Sequence, residues 1–279
     1  MHIIITKKMN SFIIYVVLII ASVFAIFPIY WAFISSLKPF NEALFFPPTF
    51  FPKNFTMDNY YEIITRYQFH KHIFVTFLVG IGTIVFSLSV AIHGAYALSK
   101  WKVRRKSLIM FLILATSMIP QISVLLPLYS FTVRLNIYDT LLGLVIVYSA
   151  WLVPAEVWFL KNIFDGIPTA LEEAAMIDGC TKIGAFYKVI LPNSKIGLVS
   201  VIIFAFVKVW TDFLFSQTLI LSKDKRLVNV ALYGFLSQFG IQWTQLMAAT
   251  ILSSLPIILI FLVLQRFYIS GFISGAVKE

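Results

Sequence analysis

The sequence predicts an all-α integral membrane protein with six transmembrane helices. Of its 279 residues, 60% are hydrophobic and only 12% are charged, and the apolar residues fall in six runs long enough to cross a bilayer. An average soluble domain is about 45–50% apolar and about 25% charged, so this chain has too little polar surface to enclose a core in water. Helices follow, because unpaired backbone cannot face lipid and the runs lack the alternation of barrel strands.

Other classes of protein are excluded by the same composition. The single cysteine, Cys180, excludes a secreted disulfide scaffold. The 28 Phe, 12 Tyr and 6 Trp are too much apolar bulk for a disordered chain. The net charge of +10 does not indicate a nucleic-acid partner, because the basic residues fall in short groups between apolar runs rather than on one face.

A transmembrane helix needs about 20 apolar residues. The first candidate is not a cleaved signal peptide, because its apolar run continues through Phe27 and Ile34. The predicted spans are 12–37, 72–98, 107–132, 140–161, 196–221 and 244–268.

Several predicted spans contain proline, which removes a backbone hydrogen bond and kinks a helix. The kinks either shape the bundle or serve as gating hinges, and the sequence leaves both interpretations open. These residues are Pro28, Pro120, Pro127, Pro154 and Pro256.

The distribution of Lys and Arg predicts the orientation. With a cytoplasmic N terminus, thirteen of the 22 basic residues fall on the inside and eight on the outside. The densest group, at 100–106, lies in a short loop, where the positive-inside rule is strongest. We therefore expect a multi-pass protein of the cell membrane with both termini in the cytoplasm.

The cytoplasmic connection at 162–195 is far longer than two adjacent helices need. Thr169 opens a predicted helix, and Thr169 with Glu172 has the spacing of a capping box. Gly179 follows that helix as a left-handed C-cap. The connection is therefore predicted to be folded rather than a simple linker.

A second short helix is predicted after the glycine, capped by Thr181 and ended by Leu191 and Pro192. The two helices expose an apolar surface in a segment surrounded by water. Such a surface either contacts a protein partner or packs on the protein's own helix ends, and physics alone favours neither. Its residues are Ala174, Ala175, Met176, Ile177 and Phe186.

The string LEEAAMIDGCTKIGAFYKVILP, residues 171–192, resembles the EAA loop of membrane subunits of binding-protein-dependent ABC importers. Val189 replaces the isoleucine of that pattern, and Ile196 replaces a proline often found beyond it. The positions that match the pattern are Glu173, Ala174, Ala175, Gly179, Leu191 and Pro192.

Other stretches extend the resemblance over most of the chain and narrow it to carbohydrate importers. Residues 95–101, AYALSKW, look like the end of the second span in sugar-importer permeases. Residues 210–214, WTDFL, are similar to a Trp-Asn-Asp/Glu-Phe-Leu segment in those proteins. Residues 265–267 and 271–278 resemble the tail of the C-terminal partner in carbohydrate permease pairs, whereas the first span and 38–71 match only loosely.

The resemblance implies a type I ABC importer permease. Two homologous six-span subunits would form a heterodimer, two cytoplasmic ATPases would drive it, and an extracytoplasmic binding protein would deliver a sugar or oligosaccharide. We expect an N-terminal part at 1–71 and a permease core at 72–279, with the coupling loop at 162–195 and a cytoplasmic tail at 269–279.

The resemblance also implies the roles of the loop residues. Its first helix would dock into a cleft on an ATPase, with Glu173 near a basic group. Gly179 would permit the turn, and Ala174 and Ala175 would allow close approach. The expected ATPase-coupling residues are Glu172, Glu173, Ala174, Ala175, Asp178, Gly179, Phe186, Leu191 and Pro192.

The chain itself is not expected to be an enzyme. None of its 12 glycines precedes a lysine, so it lacks a phosphate-binding loop. ATP and Mg²⁺ would be bound by the partner ATPases, and this chain is expected to hold no cofactor. The histidines, at His2, His70, His72 and His93, show no ligand spacing with cysteine or clustered acids, so no metal site is expected.

Charged residues within the spans form a second set of candidates. Lys208 and Asp212 lie four residues apart in the fifth span and can pair on one helical face. An unpaired charge at that depth costs at least about 2.5–3.5 kcal/mol, so the two residues are expected either to form a structural ion pair or to line the translocation path. Glu156 is a weaker candidate partner. Aromatic rings that either stack on a sugar or serve in packing are those of Tyr148, Trp151, Trp158, Phe206 and Trp210.

The extracytoplasmic segment at 40–71 contains three prolines and a predicted short helix at 58–67. Its aromatic residues indicate the membrane interface. Docking of the binding protein is the alternative, with the loop at 222–243 as a second candidate.

Two other function classes compete with this interpretation. An ion-driven secondary transporter or channel for small polar solutes would often carry inverted repeats, yet no convincing repeat relates the two halves. The folded loop would also have no purpose there. An intramembrane enzyme using Glu156, Lys208 or Asp212 would lack a nucleophile–base pair.

Overall fold

The computed structural model describes residues 2–237 and 240–276, with side chains described at 14–236 and 240–263. A π-helical turn covers Phe186–Ile190, a 3-10 turn covers Lys223–Lys225, and two short strands, β1 (Leu236–Ser237) and β2 (Gly240–Ile241), pair antiparallel. The helices are α1 (His2–Ser36), α2 (Phe40–Ala43), α3 (Asp58–Thr65), α4 (Phe69–Lys100), α5 (Lys106–Ser117), α6 (Gln121–Arg134), α7 (Leu141–Asp165), α8 (Thr169–Ile177), α9 (Lys182–Ala185), α10 (Leu191–Asn193), α11 (Lys195–Thr211), α12 (Leu214–Leu219), α13 (Val228–Tyr233) and α14 (Trp243–Ala276).

Four helices in the described part of the chain, α1, α4, α7 and α14, are long and apolar enough to cross a membrane. They confirm the first, second, fourth and sixth predicted spans. Two bent helix pairs bring the number to as many as six if each pair counts as one span. They are Lys106–Ser117 with Gln121–Arg134, bent by 90°, and Lys182–Asn193 with Lys195–Thr211, bent by 76°. The tail resemblances at 265–267 and 271–278 lie outside the described side chains, and residues 277–279 lie outside the described residues altogether.

The third predicted span is not one continuous helix, so the expectation over 107–132 is wrong in that respect. Helices α5 and α6 meet at a 90° bend. Pro120 has extended backbone, with φ −60° and ψ 132°, and its ring disfavours helical backbone in the residue before it. Because it also lacks an N–H, the hydrogen-bond ladder of α5 cannot continue through it. Pro127, by contrast, lies inside α6.

The fifth predicted span, 196–221, is also interrupted. Helix α11 ends at Thr211, and Asp212 has extended backbone, with φ −69° and ψ 140°. The Asp212 carboxylate accepts hydrogen bonds from the backbone N–H of Phe215 at 3.1 Å and of Ser216 at 3.2 Å. This is how a capping Asp satisfies the free N–H groups of a helix start. Asp212 therefore separates α11 from α12.

The chain divides into two compact units, and the larger comprises 70–231 and 256–279. One of its apolar clusters includes the fully buried Leu160, Phe164 and Phe186. A second cluster surrounds Tyr148 and Phe215. The first cluster includes residues of the connection at 162–195, and the second includes Val209 and Phe215, on either side of the break at Asp212.

The smaller unit comprises 1–69 and 232–255. The segment that follows α1 in this unit folds onto the end of that helix, where Asn59 Nδ2 donates to two backbone carbonyls at 2.8 Å each. The buried Glu42 accepts from the backbone N–H of Lys53 at 2.7 Å and of Asn54 at 3.0 Å. The predicted short helix is confirmed as α3.

Aromatic residues of this segment lie beside α1. The Phe50 ring is 5.9 Å from that of Trp31, and Tyr30 Oη donates to the Phe50 carbonyl at 2.8 Å. Phe46 is 95% exposed. Contact with the membrane interface and docking of the binding protein both remain predictions for this surface.

Candidate functional site

The connection at 162–195 folds as a helix–turn–helix. Helix α8 is followed by Gly179 at φ +88°, and Thr181 Oγ1 accepts from the Gly184 N–H at 3.0 Å. The left-handed glycine and the Thr181 cap are therefore confirmed. A Cβ at Gly179 would meet no atom within 4 Å, so only the backbone conformation favours glycine there.

The predicted capping box is wrong. The N-cap of α8 is Pro168, which makes no side-chain capping hydrogen bond. Glu172 is buried and accepts a hydrogen bond from the Tyr96 hydroxyl of α4 instead. The carboxylate thus joins the loop to the second span rather than capping its own helix.

The predicted end of the second helix is also wrong. The helical path continues through a π-helical turn and α10 to Asn193, and the chain turns at Ser194. Pro192 lies in the first turn of α10. Proline is tolerated there because the first N–H groups of a helix lack intrahelical partners.

One face of the inner end of α4 holds the loop. Tyr96 Oη also donates to the Lys182 carbonyl at 3.2 Å, and its ring lies 4.3 Å from that of Phe186. His93 Nε2 and Tyr187 Oη hydrogen-bond at 2.7 Å. His93 and Tyr96 are three residues apart, so they lie on the same side of the helix.

The same face of α4 also holds the start of the connection. Ser99 Oγ donates to Asp165 Oδ1 at 2.6 Å, and Lys100 Nζ donates to the Ile167 carbonyl at 2.5 Å. Both segments that flank α8 are therefore bonded to α4, which leaves little freedom for the loop to move independently.

The outer face of α8 is open. Ile177 is 86% exposed and Met176 is 37% exposed, and Glu173 and Ala174 are exposed as well. Asp178 is exposed at the end of the helix. This face combines small, apolar and acidic groups.

The inner face of the loop is closed. Ala175 and Phe186 are buried within the chain, with exposures of 9% and 1%. The apolar residues of the loop thus divide between the two interpretations that the sequence left open. Ala174, Met176 and Ile177 are available to a partner, whereas Phe186 packs on the protein's own helix ends.

The two helix breaks meet at Asp212. Gln121 Nε2, at the start of α6, donates to Asp212 Oδ1 at 2.6 Å. Tyr148 Oη of α7 donates to Asp212 Oδ2 at 2.7 Å. One carboxylate therefore binds donors from α6, α7 and α12.

The expected ion pair between Lys208 and Asp212 is absent: among the described side chains, the only ion pairs are Lys161–Asp165 and Lys225–Asp139. Pairing four residues apart requires one continuous helix, whereas Asp212 lies outside α11 and its carboxylate accepts from N–H groups of α12. Lys208 Nζ instead lies 5.7 Å from the centre of the Phe204 ring.

A cavity of about 70 Å³ opens beside these groups. Its polar lining comprises the side chains of Lys208, Asp212, Gln121 and Tyr148, with the Trp151 ring on one wall. Lys208 is exposed and Trp151 is half-buried. The cavity can hold a small polar group at the breaks of two spans.

The other sequence candidates lie apart from that lining. Glu156 is fully buried and accepts from Ser87 Oγ at 2.9 Å. Its Oε2 has no hydrogen-bond partner among the described residues. Trp210 is 3% exposed and stacks on Phe206 at 5.1 Å, which is a packing role, whereas Trp158 is 37% exposed.

Sequence reasoning missed Tyr96 and Gln121. Tyr96 lies in a stretch that resembles the family, but no local signal indicates its link to Glu172, which spans 76 residues of sequence. Gln121 carried a usable signal, because a polar side chain directly after a proline in an apolar run indicates a helix start that needs a partner.

Comparison with known proteins identifies the family. Residues 91–273 match the model of the binding-protein-dependent transport system inner membrane component. The chain is 30% identical to the sulfoquinovosyl glycerol transport system permease protein SmoH of Agrobacterium fabrum, over 91% of this chain and 89% of that protein. It is 32% identical to the trehalose transport system permease protein SugB of Mycobacterium tuberculosis, over 91% and 93%. It is also 30% identical to the diacetylchitobiose uptake system permease protein DasC of Streptomyces coelicolor, over 91% and 92%.

Solved structures share the fold. A bacterial ABC transporter involved in the import of the acidic polysaccharide alginate matches with a TM-score of 0.82 at 21% identity, covering 94% of this chain and 98% of that chain. The MetNI methionine ABC transporter in inward-facing form matches with a TM-score of 0.58 at 17% identity, covering 76% and 96%. The chain belongs to the family of binding-protein-dependent transport system inner membrane components, the permease subunits of ABC importers.

Proposed function

We propose that this permease forms half of the translocation pathway for a sugar or oligosaccharide. A second homologous permease supplies the other half, two cytoplasmic ATPases drive the cycle, and an extracytoplasmic binding protein delivers the solute. The relatives whose names specify sulfoquinovosyl glycerol, trehalose and diacetylchitobiose support a carbohydrate cargo.

The observation that carries the proposal is the division of α8 into two faces. Its outer face presents Glu173 and the 86% exposed Ile177, which suits a groove with an apolar floor and a basic rim. Its inner face carries the buried Glu172, bonded to Tyr96 of α4. An ATPase that grips the outer face therefore pulls on α4 through the inner face.

The loop can pass a displacement into the bundle because its attachments are short and partly buried. The Ser99–Asp165 hydrogen bond of 2.6 Å links the ends of α4 and α7 beside α8. The buried rings of Phe164 in α7 and Phe186 in the loop contact each other edge to face at 6.0 Å, and packed interiors transmit strain. We infer that α4, α7 and α8 move as one body during the ATP cycle.

In this proposal the chain itself is not catalytic. ATP and Mg²⁺ are bound by the ATPase subunits, and the loop at 162–195 lies in the cytoplasm with both termini. The basic group at 100–106 supports that orientation, because Lys and Arg accumulate on the cytoplasmic side.

The test is reconstitution in lipid vesicles of both permeases, the ATPases and the binding protein. We expect solute-stimulated ATP hydrolysis and uptake from the complete system, and neither from this chain alone. A complete system with the phosphate-binding lysine of the ATPases replaced controls for contaminating activity. ATP turnover by the purified chain, or uptake that persists without the ATPases, would contradict the proposal.

A further inference from the structure

Lys208 is an intramembrane cation that lacks a counter-ion within the described chain. It lies thirteen residues after the start of α11, about 20 Å along the helix axis. Its side chain is exposed, and its ammonium nitrogen lies 5.7 Å from the centre of the Phe204 ring. Charged groups at such depth generally face a water-filled path or a partner.

Asp212 is not that partner. Its Oδ1 accepts from Gln121, and its Oδ2 accepts from Tyr148 and from the N–H groups of Phe215 and Ser216. These four hydrogen bonds engage both oxygens of the carboxylate, and no salt bridge joins it to Lys208 among the described side chains. The Lys208 ammonium therefore keeps its capacity to bind an external anion.

The space beside Lys208 has the size of an acidic group. The cavity of about 70 Å³ holds several water-sized groups, since one water needs at least about 10–15 Å³ on this measure. A carboxylate, sulfonate or phosphate fits it, whereas a whole disaccharide does not. The half-buried Trp151 ring beside it offers an apolar face on which a sugar ring can pack.

We propose that Lys208 recognises the acidic group of an anionic saccharide in the translocation pathway, with Trp151 packing on the adjoining sugar ring. The proposal deepens the proposed function and rests on it. It narrows the cargo from sugars in general to sugars that carry a carboxylate, sulfonate or phosphate. Asp212 is a positioning residue that holds Gln121 and Tyr148 at the cavity wall.

The experiment uses the complex of both permeases and the ATPases in lipid nanodiscs, without the binding protein. Glucuronate, glucose 6-phosphate and neutral glucose serve as probes, and saturation-transfer NMR measures their binding. We expect both acidic probes, or the one whose anion matches the cargo, to bind at least tenfold more tightly than glucose. Lys208→Met should weaken acidic-probe binding at least tenfold, Lys208→Arg should largely retain it, and neither should change glucose binding.

A matched control is Lys223→Met, which removes the same charge from an exposed position outside the cavity lining and should leave all probes unchanged. Wild-type complex that binds glucose as tightly as the acidic probes overturns the proposal. A Lys208→Met complex that binds every probe normally also overturns the proposal. The proposal is overturned as well if Lys208→Met loses the second permease while Lys208→Arg keeps it, because Lys208 would then pair with that subunit.

Failure of the proposed function has a different signature. In that case the wild-type chain does not assemble with the ATPases, or the loaded binding protein does not stimulate ATP hydrolysis by the complete system. Neither readout depends on the charge at Lys208, so the two proposals fail separately.

Discussion

The hydroxyl of Tyr96, in the second span, donates a hydrogen bond to the carboxylate of Glu172, in the first helix of the coupling loop. Both side chains are 4% exposed. The bond joins an element that is expected to touch the ATPases to one that crosses the bilayer. The two residues therefore connect the loop directly to the bundle.

Tyr96→Phe should weaken this connection while keeping the ring that packs on Phe186. Removing a donor to a charged group and leaving that group buried costs roughly 1.5–3 kcal/mol. We expect faster amide hydrogen exchange in 169–177 and less uptake per ATP hydrolysed. Tyr61→Phe, at a 70% exposed position, is the matched control, and equal behaviour of the two variants would show that the Tyr96 hydroxyl has no coupling role.

The effect of replacing Gly179 should depend on whether the new residue tolerates left-handed backbone, not on the size of its side chain. A side chain there meets no atom within 4 Å, but left-handed backbone costs most residues about 1–2 kcal/mol. Gly179→Val should therefore reduce ATPase binding, whereas Gly179→Asn should largely preserve it because Asn tolerates this conformation. ATPase co-purification measures both, and equal loss in the two variants would indicate that the glycine is required for close contact instead.

Asp212→Ala should destabilise the bundle by roughly 2 kcal/mol or more, because it leaves Gln121 and Tyr148 without their acceptor. Thermal unfolding in detergent measures the loss. Asp224→Ala, at an exposed position in the 3-10 turn, provides the control. An unchanged melting temperature for Asp212→Ala would mean that the two helix breaks are not held by this carboxylate.

Asp139 should make the attachment of the loop after α12 sensitive to acid. Hydrogen bonds from the Ser222 hydroxyl, the Ser222 N–H and the Leu221 N–H hold the pKa of Asp139 below its ordinary value of 3.8. A carboxyl whose folded pKa is lowered stabilises the fold above its unfolded pKa, and that stability is lost as the pH falls through the folded pKa.

The wild type should therefore be more stable than Asp139→Asn above about pH 5, and the difference should shrink as the pH falls below 3.8. Unfolding measured at several pH values from neutral to strongly acidic tests this. A difference that stays constant across the range would show that the Asp139 charge does not hold the loop after α12.

The transmembrane helices and the glycine turn were predictable because their signals are local. Apolar length identifies a span, and Gly179 with Thr181 marks the turn by spacing alone. The partners of Glu172 and Asp212 were not predictable in this way. Their hydrogen bonds reach 76 and 91 residues back along the chain. In addition, the position of Asp212 four residues after Lys208 is equally consistent with an ion pair within one helix.

The break at Asp212 also explains why the ion-pair prediction failed. The i to i+4 rule applies only within one helix, and no sequence signal as strong as Pro120 marks the end of α11. Here the Asp212 carboxylate accepts hydrogen bonds from the start of α12, and α11 ends before it. The i to i+4 rule therefore does not apply to Lys208 and Asp212.

Site-specific cross-linking tests most directly whether α8 couples the permease to its ATPases. In a Cys180→Ser background, Ile177→Cys places a thiol on the 86% exposed face of α8, and Ala185→Cys places one at a fully buried position. We predict that only the Ile177 variant cross-links to an ATPase subunit in the assembled complex, and that the yield changes between nucleotide-free and ATP-bound states. An assembled complex that hydrolyses ATP but gives no cross-link from Ile177→Cys would contradict the account.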